Sequence, residues 1–205
     1  MWAVPISERK CALRAAILAQ RRSLPEEDCL PLSRLIQARV LQFPPYLMCR
    51  SVALYSPIEH EVETREIRDH AFIAGKTVLL PRLGQEGLME LVEIASPEEL
   101  RRGRFGIMEP TGEKRLTDRD HTELVVVVPG VAFDLRGNRL GRGQGWYDRL
   151  ISKLNGKATF VALAYEFQIV DEVPTEAWDQ HIHYVITERR VVDCRSMAVQ
   201  STQIS

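Results

Sequence analysis

The chain has 205 residues, 45% hydrophobic and 27% charged, which suits one globular domain large enough to bury a proper core. Lys and Arg number 27 against 28 Asp and Glu, so no overall charge bias points to a nucleic-acid or membrane surface, and any anion site must be local. Apolar runs such as LVVVVPGVAF are far too short to span a bilayer, and MWAVPISERKC lacks the apolar core and cleavage site of a signal peptide. Cys11, Cys29, Cys49 and Cys194 form no CxxC pair and no ligand set, so reduced thiols in a cytoplasmic protein are expected.

From Ser7 to Arg22, SERKCALRAAILAQRR predicts a helix, with Ser7 as its N-cap and Leu13, Ile17 and Leu18 on one face. A second helix is predicted from Pro25-Glu26-Glu27 to about Leu41, stopped by Phe43-Pro44-Pro45. SVALYSP, Ser51 to Pro57, reads as a strand, and Thr64 caps a third helix, TREIRDHAFIAG, which Gly75 closes. KTVLLPRL and LMELVEI, separated by Gly84 and Gly87, read as a hairpin or as near neighbours. Residues 97–121 read as polar loop, apart from a short helical patch from Pro97 to Arg101. ELVVVVPG, Glu123 to Gly130, lacks polar alternation, which marks a strand buried on both faces. WYDRLISKLN predicts a helix. ATFVALAY and HYVITE predict strands with a short helical stretch between them. Strands alternating with helices predict a single three-layer αβα domain over residues 1–205, with a mainly parallel, mixed central sheet. About residues 195–205 read as a flexible tail.

The chemistry concentrates in GNRLGRGQGWYDRL, Gly137 to Leu150. It lies between a buried strand and a helix, where open α/β sheets bind ligands. Glycines at 141, 143 and 145 let the backbone approach an anion without a Cβ in the way. Their N–H groups and the helix amino end favour phosphate, and Arg139 and Arg142 add planar cationic forks. Asp148 follows by one helical turn, and a carboxylate beside bound phosphates is a usual holder of Mg²⁺. The pattern fits neither GxxxxGK[ST] nor GxGxxG. As an isolated GxGxG a solvated glycine turn is an equal reading; the flanking strand, helix and arginines favour a nucleoside triphosphate site.

The stretch VVVVPGVAFDLRGNRLGRGQGWYDRL resembles the signature of the 5-formyltetrahydrofolate cyclo-ligase (methenyltetrahydrofolate synthetase) family. KCALR, YSPIEHEVETREI, LPR, FGIMEP and HYVITE resemble other segments of the family in the same order, from residue 10 to residue 188. The resemblance implies an α/β fold related to sugar-phosphate isomerase and CoA-transferase domains. It also implies conversion of 5-formyltetrahydrofolate to 5,10-methenyltetrahydrofolate, dependent on ATP and Mg²⁺, with release of ADP and phosphate.

By the same resemblance, Lys10 and Arg14 are nucleotide contacts, and Arg139, Leu140, Gly141, Arg142, Gly143, Gln144, Gly145, Trp146 and Tyr147 form the ATP loop. Arg142 to Trp146 also border the folate, with Tyr55, Ser56 and Glu61 lining its pocket. Arg139 and Arg142 are the candidate catalytic groups, and Asp148 is a magnesium ligand. Taken alone, Lys10 and Arg14 read as a solvated helix face, and Glu61 as one of several loop glutamates with Glu59, Glu63 and Glu66. This chain departs from the family at Trp146, usually tyrosine, and at Gln144, usually lysine or glycine. His183 stands where a second magnesium-linked aspartate is expected, with Asp179 or water as the alternative ligand. These departures motivate a second expectation, a catalytically weak folate- or nucleotide-binding paralogue. The expected partners are ATP and 5-formyltetrahydrofolate, with no nucleic acid, and the expected state is a monomer.

Overall fold

The computed structural model describes residues 4–84, 88–103, 106–116 and 123–196. Three helices come first, α1 (Ile6–Ser23), α2 (Glu26–Leu41) and α3 (Pro44–Met48). Strand β1 (Ser51–Ala53), helix α4 (Arg65–Ile73) and the antiparallel pair β2 (Thr77–Leu83) and β3 (Met89–Ile94) follow. A small ribbon joins β4 (Leu100–Arg102) to β5 (Met108–Pro110), and β6 is Leu124–Val128. A second ribbon, β7 (Ala132–Phe133) with β8 (Arg139–Leu140), leads to α5 (Trp146–Leu154). The strands β9 (Ala158–Leu163), β10 (Tyr184–Ile186) and β11 (Val191–Asp193) come last.

The main sheet has seven strands in the order β11-β10-β9-β6-β1-β2-β3. From β10 to β2 the neighbours run parallel, while the edge strands β3 and β11 are antiparallel, so the sheet is mixed and mainly parallel as expected. The apolar run of β6 explains its position at the centre. Val125 and Val127 turn to the layer of α2 and α4, against Ile36, Val40 and Ile67. Leu124, Val126 and Val128 turn to α5, against Leu150, Ile151 and Leu154. With both faces covered, no polar residue is needed in the strand.

Helix α1 joins neither layer. Its Ile17 packs with Val131, Ala132, Leu140 and Val173, beyond the carboxyl end of β6. That leaves its cationic side free to face the same end of the sheet.

Several local expectations are corrected. Ser7 lies inside α1, and Pro5 holds the N-cap position, its carbonyl accepting the amides of Glu8 and Arg9 at 3.1 Å. Thr64 sits at the N-cap of α4, but its hydroxyl donates to the Tyr55 carbonyl at 3.0 Å instead of capping the helix. Phe43-Pro44-Pro45 ends α2 and also opens α3, because prolines at the first helical positions have no amide to leave unsatisfied. The strand from Ser51 pairs only to Ala53. Within 97–121 the helical patch is a 3₁₀ turn at Pro97–Glu99, and β4 and β5 replace part of the loop. Residues 104, 105 and 117–121, Gly87, and most of the expected tail (197–205) lie outside the described residues.

Candidate active site

Strand β1 leads through α4 to β2 on one side, while β6 leads through α5 to β9 on the other, and β1 and β6 are parallel neighbours. Chain direction thus diverges between them, the place where open α/β sheets form a crevice at their carboxyl ends. A cleft of about 710 Å³ lies there. Tyr55 and Ser56 enter it from the end of β1, Pro129 and Gly130 from the end of β6, and the glycine loop from between β8 and α5.

Local conformation explains the glycines. Gly143 has φ +98° and Gly145 φ +66°, left-handed backbone that glycine adopts without a Cβ penalty. Gly145 is the N-cap of α5. The N–H groups of residues 141–145 donate to no acceptor among the described residues. These open donors stand at a helix amino end, which favours an anion. From α1, Arg14 Nε donates to the Gly141 carbonyl at 2.9 Å, which ties the loop to that helix and satisfies its acceptor.

The charged groups are already engaged. Arg139, 3% exposed, donates from Nη2 to Asp148 Oδ1 at 2.9 Å and from Nη1 to the Pro129 carbonyl at 3.3 Å. It is therefore a buried brace for Asp148, and not the free phosphate fork expected from the sequence. The Gln180 amide also donates to Asp148 Oδ1, at 3.3 Å, which leaves Oδ2 unpaired among the described residues. Arg142, about a third exposed, forks onto Glu59 Oε2 with both Nη atoms at 3.1 Å and lies 3.6 Å from Glu61 Oε1. Lys10 Nζ donates to Glu176 at 2.7 Å and to Asp179 at 2.5 Å. Burial works against the lysine's charge, but these carboxylates outweigh it and hold its pKa above the ordinary value.

The opposite wall centres on Glu61. Glu59 and His60 adopt φ of +45° and +59°, unusual for non-glycine residues, and the turn folds back so that the Ile58 amide donates to Glu61 Oε2 at 3.2 Å. Burial pushes the Glu61 carboxyl above its usual range, opposed by Arg21, Arg142 and the Ile58 amide. Tyr55 donates its phenol to the Val62 carbonyl at 2.7 Å, and burial raises the pKa of both Tyr55 and Tyr147, so both stay neutral donors. Pro81, Leu83, Met89 and Ile107 supply an apolar side. Ser56 Oγ donates to the Met108 carbonyl at 2.6 Å and ties the β4–β5 ribbon to this wall.

Every residue named for the site from the sequence lines the cleft except His183. His183 sits beside Phe160, its Nδ1 accepting the Phe160 amide at 3.1 Å. Its imidazole is thus engaged where the interior strand β9 meets the start of β10 and does not line the cleft, which corrects its expected place at a metal. Asp179 occupies the cleft instead. Arg21, Glu59, Glu176 and Trp178 belong to the site or its support and were not assigned from the sequence. One signal was present: Lys10, Arg14 and Arg21 are spaced by four and seven, which puts them on one helix face.

Among the described residues no group of three or more His, Cys, Asp or Glu side chains could cage a metal ion. One open carboxylate oxygen, on Asp148 beside the open amides of residues 141–145, does suit Mg²⁺, which keeps waters and takes most of its ligands from phosphates.

The family model described as "5-formyltetrahydrofolate cyclo-ligase family" matches residues 6–188. A probable 5-formyltetrahydrofolate cyclo-ligase of Schizosaccharomyces pombe is 32% identical over 201 residues, 91% of this chain and 98% of the relative. The 5-formyltetrahydrofolate cyclo-ligase of Escherichia coli K12 is 32% identical over 182 residues, 85% of this chain and 98% of the relative. The solved structure of Aquifex aeolicus 5,10-methenyltetrahydrofolate synthetase superposes with a TM-score of 0.81 at 35% identity, covering 91% of this chain and 93% of that one.

Proposed function

This chain belongs to the 5-formyltetrahydrofolate cyclo-ligase family, and from that premise we propose how its cleft closes 5-formyltetrahydrofolate to 5,10-methenyltetrahydrofolate at the expense of ATP. The observation that carries this reading is that the open amides at 141–145 and a buried, charge-bracketed carboxylate, Glu61, line one cleft.

The triphosphate rests on the amides of Gly141 to Gly145 and the amino end of α5. Lys10 exchanges Glu176 and Asp179 for phosphate oxygens, and Arg142 leaves Glu59 to follow the transferring group. Arg14 holds the loop carbonyl, and Arg139 holds Asp148. Mg²⁺ carried on the phosphates would rest on Asp148 Oδ2 and neutralise charge developing on the transferred group. Glu61 accepts paired N–H donors of the pterin, with Trp146 offering a ring to stack on and Tyr55 and Tyr147 standing as neutral phenols beside it.

The formyl oxygen attacks the γ-phosphorus, the bond to the bridging oxygen breaks, and ADP leaves. N10 then attacks the formyl carbon, which has become electrophilic, and gives up its N–H proton, and the phosphate departs with the former formyl oxygen and that proton. The cleft's part is positioning and charge neutralisation, and no side-chain nucleophile is required. We read the protein as cytoplasmic, in keeping with its free cysteines Cys11, Cys29, Cys49 and Cys194, and as a monomer, since one chain supplies the whole cleft.

The test is to mix the protein with 5-formyltetrahydrofolate, ATP and Mg²⁺ and follow the methenyl chromophore, omitting each component in turn. Turnover that requires all three supports the proposal. Tight folate binding without an ATP-dependent chromophore would assign the chain to a binding role.

A further inference from the structure

Arg21, in the last turn of α1, is 1% exposed. Its Nη1 donates to the Gly130 carbonyl at a long 3.4 Å, and its Nη2 has no hydrogen-bond partner among the described residues. The carboxylate nearest to it is Glu61, with Oε1 at 3.7 Å from Nη2. Burying a guanidinium is costly, and a pair kept for structure alone is expected to close its hydrogen bonds. This one stays open. The same Glu61 oxygen also lies 3.6 Å from Arg142 Nη2, so two guanidinium groups bracket one carboxylate. One is sealed inside the protein; the other is about a third exposed and shared with Glu59.

We propose that Arg21 is a positioning residue for the reduced folate, a permanent counter-charge behind Glu61 that keeps this carboxylate ionised and aimed at the pterin once Arg142 turns to phosphate. The inference rests on the reading of Glu61 given above. The other groups facing Glu61 cannot replace Arg21. Tyr55, beyond β1, and Tyr147, on α5, are neutral phenols, and Glu59 on the same turn is itself negative. The Ile58 amide is a single neutral donor. Burial already pushes the Glu61 carboxyl upward, so losing Arg21 would move it further in that direction and weaken its hold, as a carboxylate, on a pair of pterin N–H groups.

The experiment measures KM for 5-formyltetrahydrofolate and for ATP, and kcat/KM against pH, for wild type, Arg21→Met and Arg21→Lys. Arg21→Met is expected to raise the folate KM at neutral pH roughly ten- to a hundredfold. The ATP KM should stay within about twofold, as for an independent site. The acid limb of kcat/KM for folate moves to higher pH in Arg21→Met and returns toward wild type in Arg21→Lys. An unmoved acid limb, or an equal rise in both KM values, overturns the inference.

Should Arg21→Met fail to fold, the double variant Arg21→Met/Glu61→Gln, which removes both charges, is compared with Glu61→Gln alone. Equal folate KM values support action through Glu61, and a further loss in the double variant overturns it. A wild-type protein that neither binds nor turns over the folate would instead overturn the reading of the cleft.

Discussion

Arg139 and Asp148 clasp each other across the glycine loop, Nη2 to Oδ1 at 2.9 Å, joining the start of β8 to the first turn of α5. The clasp makes the stability and chemistry of Asp148 separable. Asp148→Ala leaves a buried guanidinium without its counter-charge and should cost about 3–5 kcal/mol in denaturant unfolding. Asp148→Asn keeps an oxygen for Arg139 and should unfold closer to wild type, yet lose turnover by roughly a hundredfold or more. An Asn variant with wild-type kinetics at limiting Mg²⁺ would remove Asp148 from the chemistry.

The loop glycines give a matched pair of backbone tests. Gly143→Ala forces a side chain into φ +98° and should cost about 1–2 kcal/mol. Gly156→Ala does the same at φ +73°, with nothing within 4 Å of the new Cβ, and is not part of the cleft lining. Both variants should lose comparable stability, but only Gly143→Ala should raise the ATP KM. A parallel rise in Gly156→Ala would mean that the loss at 143 reflects general softening and not a distorted phosphate cradle.

Lys10 is held by Glu176 and Asp179, so nucleotide must compete for it. Removing the lysine should raise the ATP KM roughly ten- to a hundredfold, with the folate KM nearly unchanged. Glu176→Gln takes away a competitor without touching the lysine, and should lower the ATP KM. If Glu176→Gln raises it, the carboxylate supports the nucleotide instead of opposing it.

For His183, the sign of the pH effect follows from burial. Burial lowers its folded pKa from 6.5, with Arg195 adding to the shift and Asp193 opposing it. Below pH 6.5 the unfolded chain therefore binds more protons, so the contribution of neutral His183 is present above that pH and lost as pH falls through the folded pKa. His183→Asn keeps an acceptor for the Phe160 amide without titrating. Denaturation at pH 5 and pH 8 should show a smaller acid loss for the variant than for wild type, and its Mg²⁺ dependence should not change. A higher Mg²⁺ requirement would return His183 to the metal site.

Much of this was legible before folding was considered. The apolar run at Leu124–Val128 announced a doubly covered strand, and the glycine spacing announced an open backbone before α5. The two small ribbons were not legible, because strands of two or three residues such as Ala132–Phe133 and Leu100–Arg102 are too short to show a period. At the site, the sequence could name Arg139 but not its burial, which depends on Asp148 and the Pro129 carbonyl closing over it. Glu59 and Glu61 look alike in a glutamate-rich loop. The left-handed turn at Glu59 and His60 separates them, leaving Glu59 exposed on Arg142 and burying Glu61. Arg21 reads as a helix cation until α1 is laid beyond the carboxyl end of β6.

The account requires that the triphosphate and the formyl group meet end to end between the glycine loop and Glu61. Turnover of 5-formyltetrahydrofolate carrying ¹⁸O in its formyl group measures this directly, with mass analysis of the released phosphate. The account predicts that the label appears in inorganic phosphate, one atom for each methenyl product. Label released into water, with unlabelled phosphate, would contradict it.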